Sequence, residues 1–401
     1  MKLIVVFALF CSLFIFWIVG GDSSPFAAVT TFGKEEYTKE DVASSSLSLS
    51  GSSATTTAST SLPVITHVAT PKHVKAIYMS SWVAGTPSVR ERLITLITTT
   101  ELNAVVIDVK DNTGTLSWDG RIRDLDVLIK ELHDKNIYVI ARIAAFQDPL
   151  YVKLHPDLAV TDIKKGGIWK DHKGVPWVDT GSRAMWEYLA EIGKESYVRG
   201  FDELNFDYIR FPTDGNLSAM RFPVSGERGL TDKRGIVKEF YKFLHDEFSP
   251  LGIPISGDLF GIIATNANET KTLGQDLGDA LTYFNYVALM VYPSHFYAGT
   301  AGYQNPAAHP KEIIEYSTQG AISIAIATAS STESASSTQS VIASSTLIAK
   351  LRPWYQDFDM GATYTKEMVR AQITAGEKYN VTSWMLWDPA NKYTPSALKG
   401  E

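Results

Sequence analysis

Residues 72–401 alternate between short runs rich in β-branched and aromatic residues and longer stretches in which apolar residues recur every three or four positions. The short runs are typical of buried strands and the longer stretches of amphipathic helices. The predicted strands are Lys75–Trp82, Ala104–Asp111, Tyr138–Phe146, Glu203–Phe211, Pro254–Gly261, Tyr286–Tyr292, Lys350–Phe358 and Ser383–Trp387. The clearest predicted helices are Ser88–Thr99, Arg123–Asp134, Ala184–Val198, Lys233–Phe248 and Lys366–Tyr379.

This alternation of strands and helices predicts an α/β fold with parallel strands joined by crossover helices. Eight such strands suit a closed (β/α)8 TIM barrel, which tolerates long loops. An open, doubly wound sheet is the alternative, but it is expected to carry a glycine-rich phosphate turn after its first strand. The residues after Tyr78 do not form such a turn, so we predict a barrel over residues 72–401.

An apolar run from Leu3 to Val19 follows Lys2 at the start of the chain. As a helix it would span roughly 26 Å, close to the thickness of the hydrocarbon core of a bilayer. A signal peptide usually has a shorter apolar region and a small-residue cleavage site, and no clean site follows here. We therefore predict a membrane-anchor helix in residues 1–20, with a cleaved signal peptide as the alternative. Either one places the rest of the chain outside the cytoplasm, as an anchored or a secreted protein.

Two polar tracts are rich in serine and threonine. The first contains 13 such residues between 44 and 61. A segment of this composition has too few apolar groups to offset the entropy that is lost when a chain becomes ordered. We therefore predict that residues 21–71 form a disordered linker. The second tract contains 12 such residues between 328 and 346, and it is predicted to be a low-complexity insertion in a surface loop.

Composition excludes several classes of protein. The 44 acidic residues outnumber the 37 basic ones, which disfavours a nucleic-acid partner. The single cysteine, Cys11, lies in the apolar leader, so the barrel has neither disulfides nor a catalytic thiol. The sequence has no paired-histidine zinc motif, no G-x-S-x-G elbow and no P-loop. We therefore predict no metal and no cofactor.

Polar residues gather at the carboxyl ends of the predicted strands, where barrel enzymes carry their chemistry. Along the fourth strand, Asn205 and Asp207 share one face and Leu204 and Phe206 share the other. The alternation predicts that Asn205 and Asp207 point into the barrel. A carboxylate there is costly unless it is paired, so Asp207 is either functional or held in an ion pair with Arg142 or Arg210.

The other acidic residues at strand ends leave the same choice open. A structural role is the alternative for each: a loop cap for Asp108 and Asp111, a helix cap for Asp357 and Asp359, a turn for Asp388 and an ion pair for Asp258. Aromatic residues accompany them at or near the strand ends, and each alone could belong to the core. Together they suit a pocket in which sugar rings stack on aromatic planes. These aromatic residues are Trp82, Tyr208, Tyr292, Trp354, Trp384 and Trp387.

The segment Phe206–Pro212 resembles a glycoside-hydrolase barrel family of bacteria and archaea that has been catalogued as a domain of unknown function. The likeness covers nearly all of residues 73–397. The other segments that carry it are Ala76–Ser80, Val106–Asp111, Ala141–Ile143, Trp169, Trp177–Asp179, Arg352–Phe358 and Trp387–Asn391.

This family is similar in outline to the α-amylase and α-galactosidase barrels, which place a catalytic aspartate at the end of strand four. The resemblance therefore implies that Asp207 is the nucleophile or base. The acid of α-amylases follows strand five, where this chain has Asp258 instead of the usual glutamate. The polar tract at 328–346 also departs from the family pattern.

We hypothesise that the protein hydrolyses O-glycosidic bonds of a cell-envelope or extracellular polysaccharide, with Asp258 as acid and Asp207 as nucleophile or base. A non-catalytic glycan-binding barrel is one alternative, and a metal-dependent polysaccharide hydrolase or deacetylase is another. The residues predicted to bind substrate are Tyr78, Trp82, Asp108, Arg142, Asn205, Tyr208, Arg210, Tyr292, Trp354, Gln356, Asp357, Trp387 and Asp388.

Overall fold

The computed structural model describes residues 66–229, 232–331 and 337–400. Eight parallel strands form a closed barrel in which the order around the barrel follows the order along the chain. The first strand closes the barrel by pairing with the last, with Lys75 opposite Trp384. The strands are β1 Lys75–Met79, β2 Ala104–Lys110, β3 Tyr138–Ala144, β4 Glu203–Asp207, β5 Ile255–Phe260, β6 Tyr286–Met290, β7 Trp354–Gln356 and β8 Trp384–Trp387.

Helices surround the barrel and follow its strands. They are α1 Ser81–Ala84, α2 Pro87–Thr98, α3 Leu125–Asp134, α4 Pro149–Leu154, α5 Arg183–Val198, α6 Pro223–Glu227, α7 Lys233–Phe248, α8 Ala267–Leu273, α9 Leu277–Tyr283, α10 Pro310–Ser330, α11 Ser337–Ala349 and α12 Lys366–Glu377. A short antiparallel pair, Thr161–Asp162 with Met220–Arg221, joins the loops that follow β3 and β4. All eight predicted strands and all five predicted helices are confirmed. Several strands end earlier than predicted because their last residues already belong to the loops above the barrel.

The alternation of side chains along each strand builds two separate cores. Ala76 of β1 and Val106 of β2 belong to the cluster that fills the barrel. Their neighbours Ile77 and Val105 belong to the larger cluster between strands and helices. On β4, Leu204 and Phe206 likewise join the outer cluster. The predicted inward direction of Asn205 and Asp207 is confirmed, since both contact inward-facing side chains of neighbouring strands.

The polar tract at 328–346 is not the surface loop that the sequence predicted. The described part of it lies in α10 and α11, with residues 332–336 outside the described part. Small residues at a spacing of four, Ala321, Ala325 and Ala329, form the buried side of α10. Hydroxyl groups bond to carbonyls four residues earlier, as between Ser345 and Val341 at 3.0 Å. The prediction was wrong because serine and threonine in this tract bond to the backbone of their own helix, a possibility that composition alone does not reveal.

The folded unit begins before residue 72, where the predicted linker ends. The Val68 N–H donates to Asp202 at 2.8 Å, and the hydroxyls of Thr70 and Tyr138 lie 3.0 Å apart. These contacts seal the amino-terminal end of the barrel. The predicted anchor at 1–20 and the linker up to residue 65 lie outside the described residues. In the part of the chain that the structure describes, no helix has the length and apolarity needed to cross a bilayer.

Candidate active site

A cavity of about 520 Å³ opens at the carboxyl ends of the strands. Side chains from the loops after β4 to β8 surround it, so it occupies the position where barrel enzymes carry out their chemistry. Nine of the residues predicted from the sequence line it: Tyr78, Arg142, Asp207, Tyr208, Arg210, Asp258, Tyr292, Trp354 and Trp387. The structure therefore brings both predicted catalytic carboxyl groups into one cavity.

Asp207 ends β4, and its side chain is 7% exposed. The next residue, Tyr208, has a φ of 54°, an uncommon conformation for a residue with a side chain. This sharp turn aims the N–H of Tyr208 at Asp207 Oδ1, at 2.5 Å. Arg142 donates to the other oxygen. The ion pair that the sequence left open is thus present, and it fixes the orientation of a side chain that still faces the cavity.

Arg142 lies at the centre of three carboxyl groups. Its Nη1 donates to Asp108 Oδ1 at 2.6 Å, its Nη2 pairs with Asp207, and its Nε lies 3.7 Å from Asp258 Oδ2. Burial opposes its charge, but Asp207 and Asp108 outweigh burial and raise the pKa of Arg142 well above its usual range. Arg142 is therefore a fixed cation that holds Asp207 in place.

Asp258 lies on β5 and is 1% exposed. Its Oδ1 accepts hydrogen bonds from Asn205 Nδ2 at 3.0 Å and from Trp354 Nε1 at 2.8 Å. Burial and the nearby charge of Asp207 raise the pKa of Asp258 to about 8, against the opposing effect of Arg142. Because two donors occupy Oδ1, the proton that Asp258 keeps at neutral pH is expected on Oδ2. The pair thus combines a protonated carboxyl group with a carboxylate, which is the division that acid catalysis requires.

An aromatic wall forms the side of the cavity at the carboxyl ends of β6, β7 and β8. The rings of Tyr292 and Trp387 stack with centroids 5.1 Å apart. Phe358 meets both of them edge-on, at 5.8 and 5.2 Å. His295 adds a further ring beside Phe358, and burial lowers the pKa of His295 to about 4, so it is neutral at physiological pH. The aromatic wall is therefore uncharged and suited to the apolar face of a sugar ring.

Six residues predicted to bind substrate do not line the cavity. Two of them lie directly behind it: Asn205 contacts Asp258, and Asp108 accepts a hydrogen bond from the hydroxyl of Tyr78 at 2.5 Å. Trp82 is the second residue of α1 and is 67% exposed, with Arg121 over its ring. It points to solvent because β1 ends three residues before it.

The remaining three residues hold the loops in place. Gln356 bonds to the backbone of Phe358 and Ser294. Asp357 accepts from the N–H and the hydroxyl of Thr394, at 2.9 and 2.7 Å. Asp388 accepts from the N–H groups of Ala390 and Lys392 and thereby fixes a turn. The turn that was the alternative for Asp388 is therefore observed, whereas Asp357 binds Thr394 instead of capping a helix. Burial still raises the pKa of Asp357 to about 6.

Sequence reasoning missed several residues that line the cavity. Most of them lie in loops several positions after the predicted strands, where no periodicity indicates the direction of a side chain. Phe260 and Phe358 instead lie at the ends of two predicted strands, and their position there was the one available signal. The missed residues that matter most below are Asp214, Phe260, Glu269, Tyr297, Phe358 and Met360.

The described residues contain no group of three or more histidine, cysteine, aspartate or glutamate side chains arranged to hold a metal ion. Asp108, Asp207 and Asp258 instead converge on the guanidinium of Arg142. The positive charge at the centre of these three aspartates is thus the guanidinium of Arg142.

Comparisons with known proteins agree with this geometry. A family model described as "Putative glycosyl hydrolase domain" matches residues 76–393. Among solved structures, the PgaB (BpsB) glycoside hydrolase domain from Bordetella bronchiseptica has a TM-score of 0.52 and 13% identity, covering 79% of this chain and 94% of that one. A hypothetical protein from Ruminiclostridium thermocellum ATCC 27405 is 33% identical over 45% of this chain and 96% of its own, with a TM-score of 0.40. No curated protein matches the sequence.

Proposed function

The chain belongs to the glycosyl hydrolase domain family whose model spans its barrel, and from this premise we propose that it hydrolyses O-glycosidic bonds of a polysaccharide. The observation that carries the proposal is the presence in one cavity of Asp258, whose pKa is raised to about 8, and of Asp207, which forms an ion pair with Arg142. Such a pair supplies the two groups that glycoside hydrolysis needs.

In this mechanism Asp258 donates its proton from Oδ2 to the oxygen of the leaving group. Asp207 attacks the anomeric carbon or removes a proton from the attacking water. Asn205 and Trp354 keep Asp258 in one orientation through their bonds to Oδ1. Arg142 orients Asp207, and the aromatic wall holds a sugar ring beside the two carboxyl groups.

We also propose that this reaction takes place outside the cytoplasm. The support is the apolar run from Leu3 to Val19, which would act as an anchor or as a secretion signal. An anchor would hold the barrel at the cell envelope, next to cell-surface polysaccharide.

Hydrolysis of a panel of polysaccharides by the full-length chain tests the proposal. We expect new reducing ends from at least one glycan, and we expect the Asp258→Asn variant to release far fewer. Binding without turnover on every glycan would instead identify a glycan-binding barrel. Turnover that a chelator abolishes would favour a metal-dependent enzyme.

The pH dependence of kcat/KM should have a basic limb near pH 8. Asp258 must be protonated to act as the acid, so activity is present below its pKa of about 8 and is lost as the pH rises through that value. The measurement is a pH profile for the wild type and for Asp258→Asn. An unchanged basic limb in the variant would remove Asp258 from the acid role.

Trp387→Ala is expected to raise KM roughly fivefold with a smaller change in kcat, because stacking on an aromatic plane contributes about 1 kcal/mol. Steady-state kinetics on a soluble oligosaccharide measures this effect. Trp82→Ala is the matched control, since Trp82 is 67% exposed and does not line the cavity. Equal effects of the two substitutions would contradict the proposed role of the aromatic wall.

A further inference from the structure

The cavity has a second, acidic end that the mechanism does not use. Its two carboxylates come from segments that follow the neighbouring strands β4 and β5, and Glu269 also accepts a hydrogen bond from the hydroxyl of Tyr297 at 2.9 Å. Asp214 comes from the loop after β4, and Glu269 comes from α8, which follows β5. Both line the same cavity as Asp207 and Asp258.

Asp214 is 9% exposed, yet no described residue donates a hydrogen bond to its side chain or forms an ion pair with it. Burial raises the pKa of Asp214; Arg210, His172 and Lys173 favour its charged form from a distance, and Asp171 opposes it. A carboxylate that is mostly buried and has no protein partner loses part of its hydration. A ligand that brings a hydrogen-bond donor or a positive charge would offset that loss.

The two arginines that line the cavity do not supply this partner. Arg142 is already shared among carboxyl groups outside the acidic end. Arg210 donates to the carbonyl of Phe211 at 3.1 Å and to the hydroxyl of Thr213 at 3.2 Å. Its guanidinium lies over the rings of Trp177 and Phe260. Neither arginine is therefore within ion-pair distance of Asp214.

The sum of charges around the cavity is negative. Asp207, Asp214 and Glu269 are acidic, Asp258 is neutral while it carries its proton, and two arginines oppose them. Asp108 lies directly behind the cavity, where it adds a further negative charge and is paired with Arg142. A field of this sign attracts cationic ligands and repels anionic ones.

We propose that the substrate is a glycan that carries free amino groups, and that Asp214, assisted by Glu269, binds the ammonium group of a sugar unit. This inference rests on the proposed function, because it assigns the substrate class of the same cavity. A carboxylate that pairs with an ammonium group forms a charge-assisted hydrogen bond, which a hydroxyl group does not match in strength. The same negative field disfavours glycans with uronic acids.

Calorimetric titration of the full-length chain tests the proposal with three β-1,4-linked pentamers, made of glucosamine, glucose or glucuronic acid. All proteins carry Asp258→Asn, so that no pentamer is consumed; asparagine is neutral, as is protonated Asp258. We expect the glucosamine pentamer to bind roughly tenfold more tightly than the glucose pentamer. The added Asp214→Asn substitution should abolish this preference, with a much smaller change in the binding of the glucose pentamer.

Asp246→Asn is the matched control, because it removes the same charge from an exposed pair with Lys242 on α7. It should not alter the preference. Equal binding of the amino and neutral pentamers, tighter binding of the acidic pentamer, binding of none, or a preference that survives Asp214→Asn would each overturn the inference. Selective binding of the amino pentamer without its hydrolysis by the wild type would support this inference and contradict the proposed function. Hydrolysis of neutral glycans without the preference would do the reverse.

Discussion

Asp207→Asn is expected to lower kcat by about 10³-fold while the barrel stays folded. Asn keeps the size of the side chain and can still accept the N–H of Tyr208, which lies 2.5 Å from Asp207 Oδ1. It loses the negative charge that either attacks the anomeric carbon or activates water. The loss should therefore fall on kcat, with a much smaller change in KM.

Initial rates on the glycan identified by the panel measure the effect, and the circular dichroism spectrum confirms that the variant is folded. Asp111→Asn is the matched control. Asp111 also follows a barrel strand at the same rim and also pairs with an arginine, Arg121, but it does not line the cavity. Similar rates for the Asp207 variant and the wild type would place the chemistry elsewhere.

The Asp207→Asn substitution also tests how the charge of Asp207 affects the pKa of Asp258. In the wild type Arg142 binds Asp108 and Asp207 and lies near Asp258. Without the charge of Asp207, one of the two largest causes of the raised pKa of Asp258 is gone, and burial alone remains to raise it. The residual activity of Asp207→Asn should therefore decline at a lower pH than that of the wild type.

The strands and the inward face of β4 could be predicted because they depend on local pattern. Period-two alternation around Asn205 and Asp207 decides which side chains enter the barrel, and the closed barrel then leaves them no other direction. Asp258, Arg142 and Trp354 could be grouped for the same reason, since carboxyl ends of parallel strands meet at one rim.

Loop residues could not be placed in this way. Asp357 and Asp388 look like site residues in the sequence, but each is used by the backbone of a nearby turn. Asp214 and Glu269 carry no such signal and still reach the cavity. Whether a carboxylate accepts hydrogen bonds from the backbone of a turn or faces the cavity depends on the path of the loop. The path of a loop leaves no periodic pattern in the sequence.

Arg352→Met is expected to lower the free energy of unfolding by about 3–5 kcal/mol, the usual cost of leaving one member of a buried ion pair alone. Arg352 and Glu203 are 1% and 0% exposed, and Arg352 Nη1 lies 2.8 and 3.0 Å from the two carboxylate oxygens. The hydroxyls of Ser256 and Tyr138 also donate to Glu203, at 2.6 and 3.1 Å. They keep its side chain in place but cannot neutralise its charge.

The double variant Glu203→Gln with Arg352→Met should recover a large part of that loss, because glutamine keeps the acceptor oxygen for Ser256 and removes the uncompensated charge. Urea denaturation of the wild type, both single variants and the double variant gives the coupling energy. A loss below about 1 kcal/mol for Arg352→Met would mean that water reaches Glu203 once the arginine is gone. Because Ser256 links Glu203 to Asn205 and Asn205 holds Asp258, a fall in kcat of the double variant would show that this pair at the base of the barrel also orients the catalytic acid.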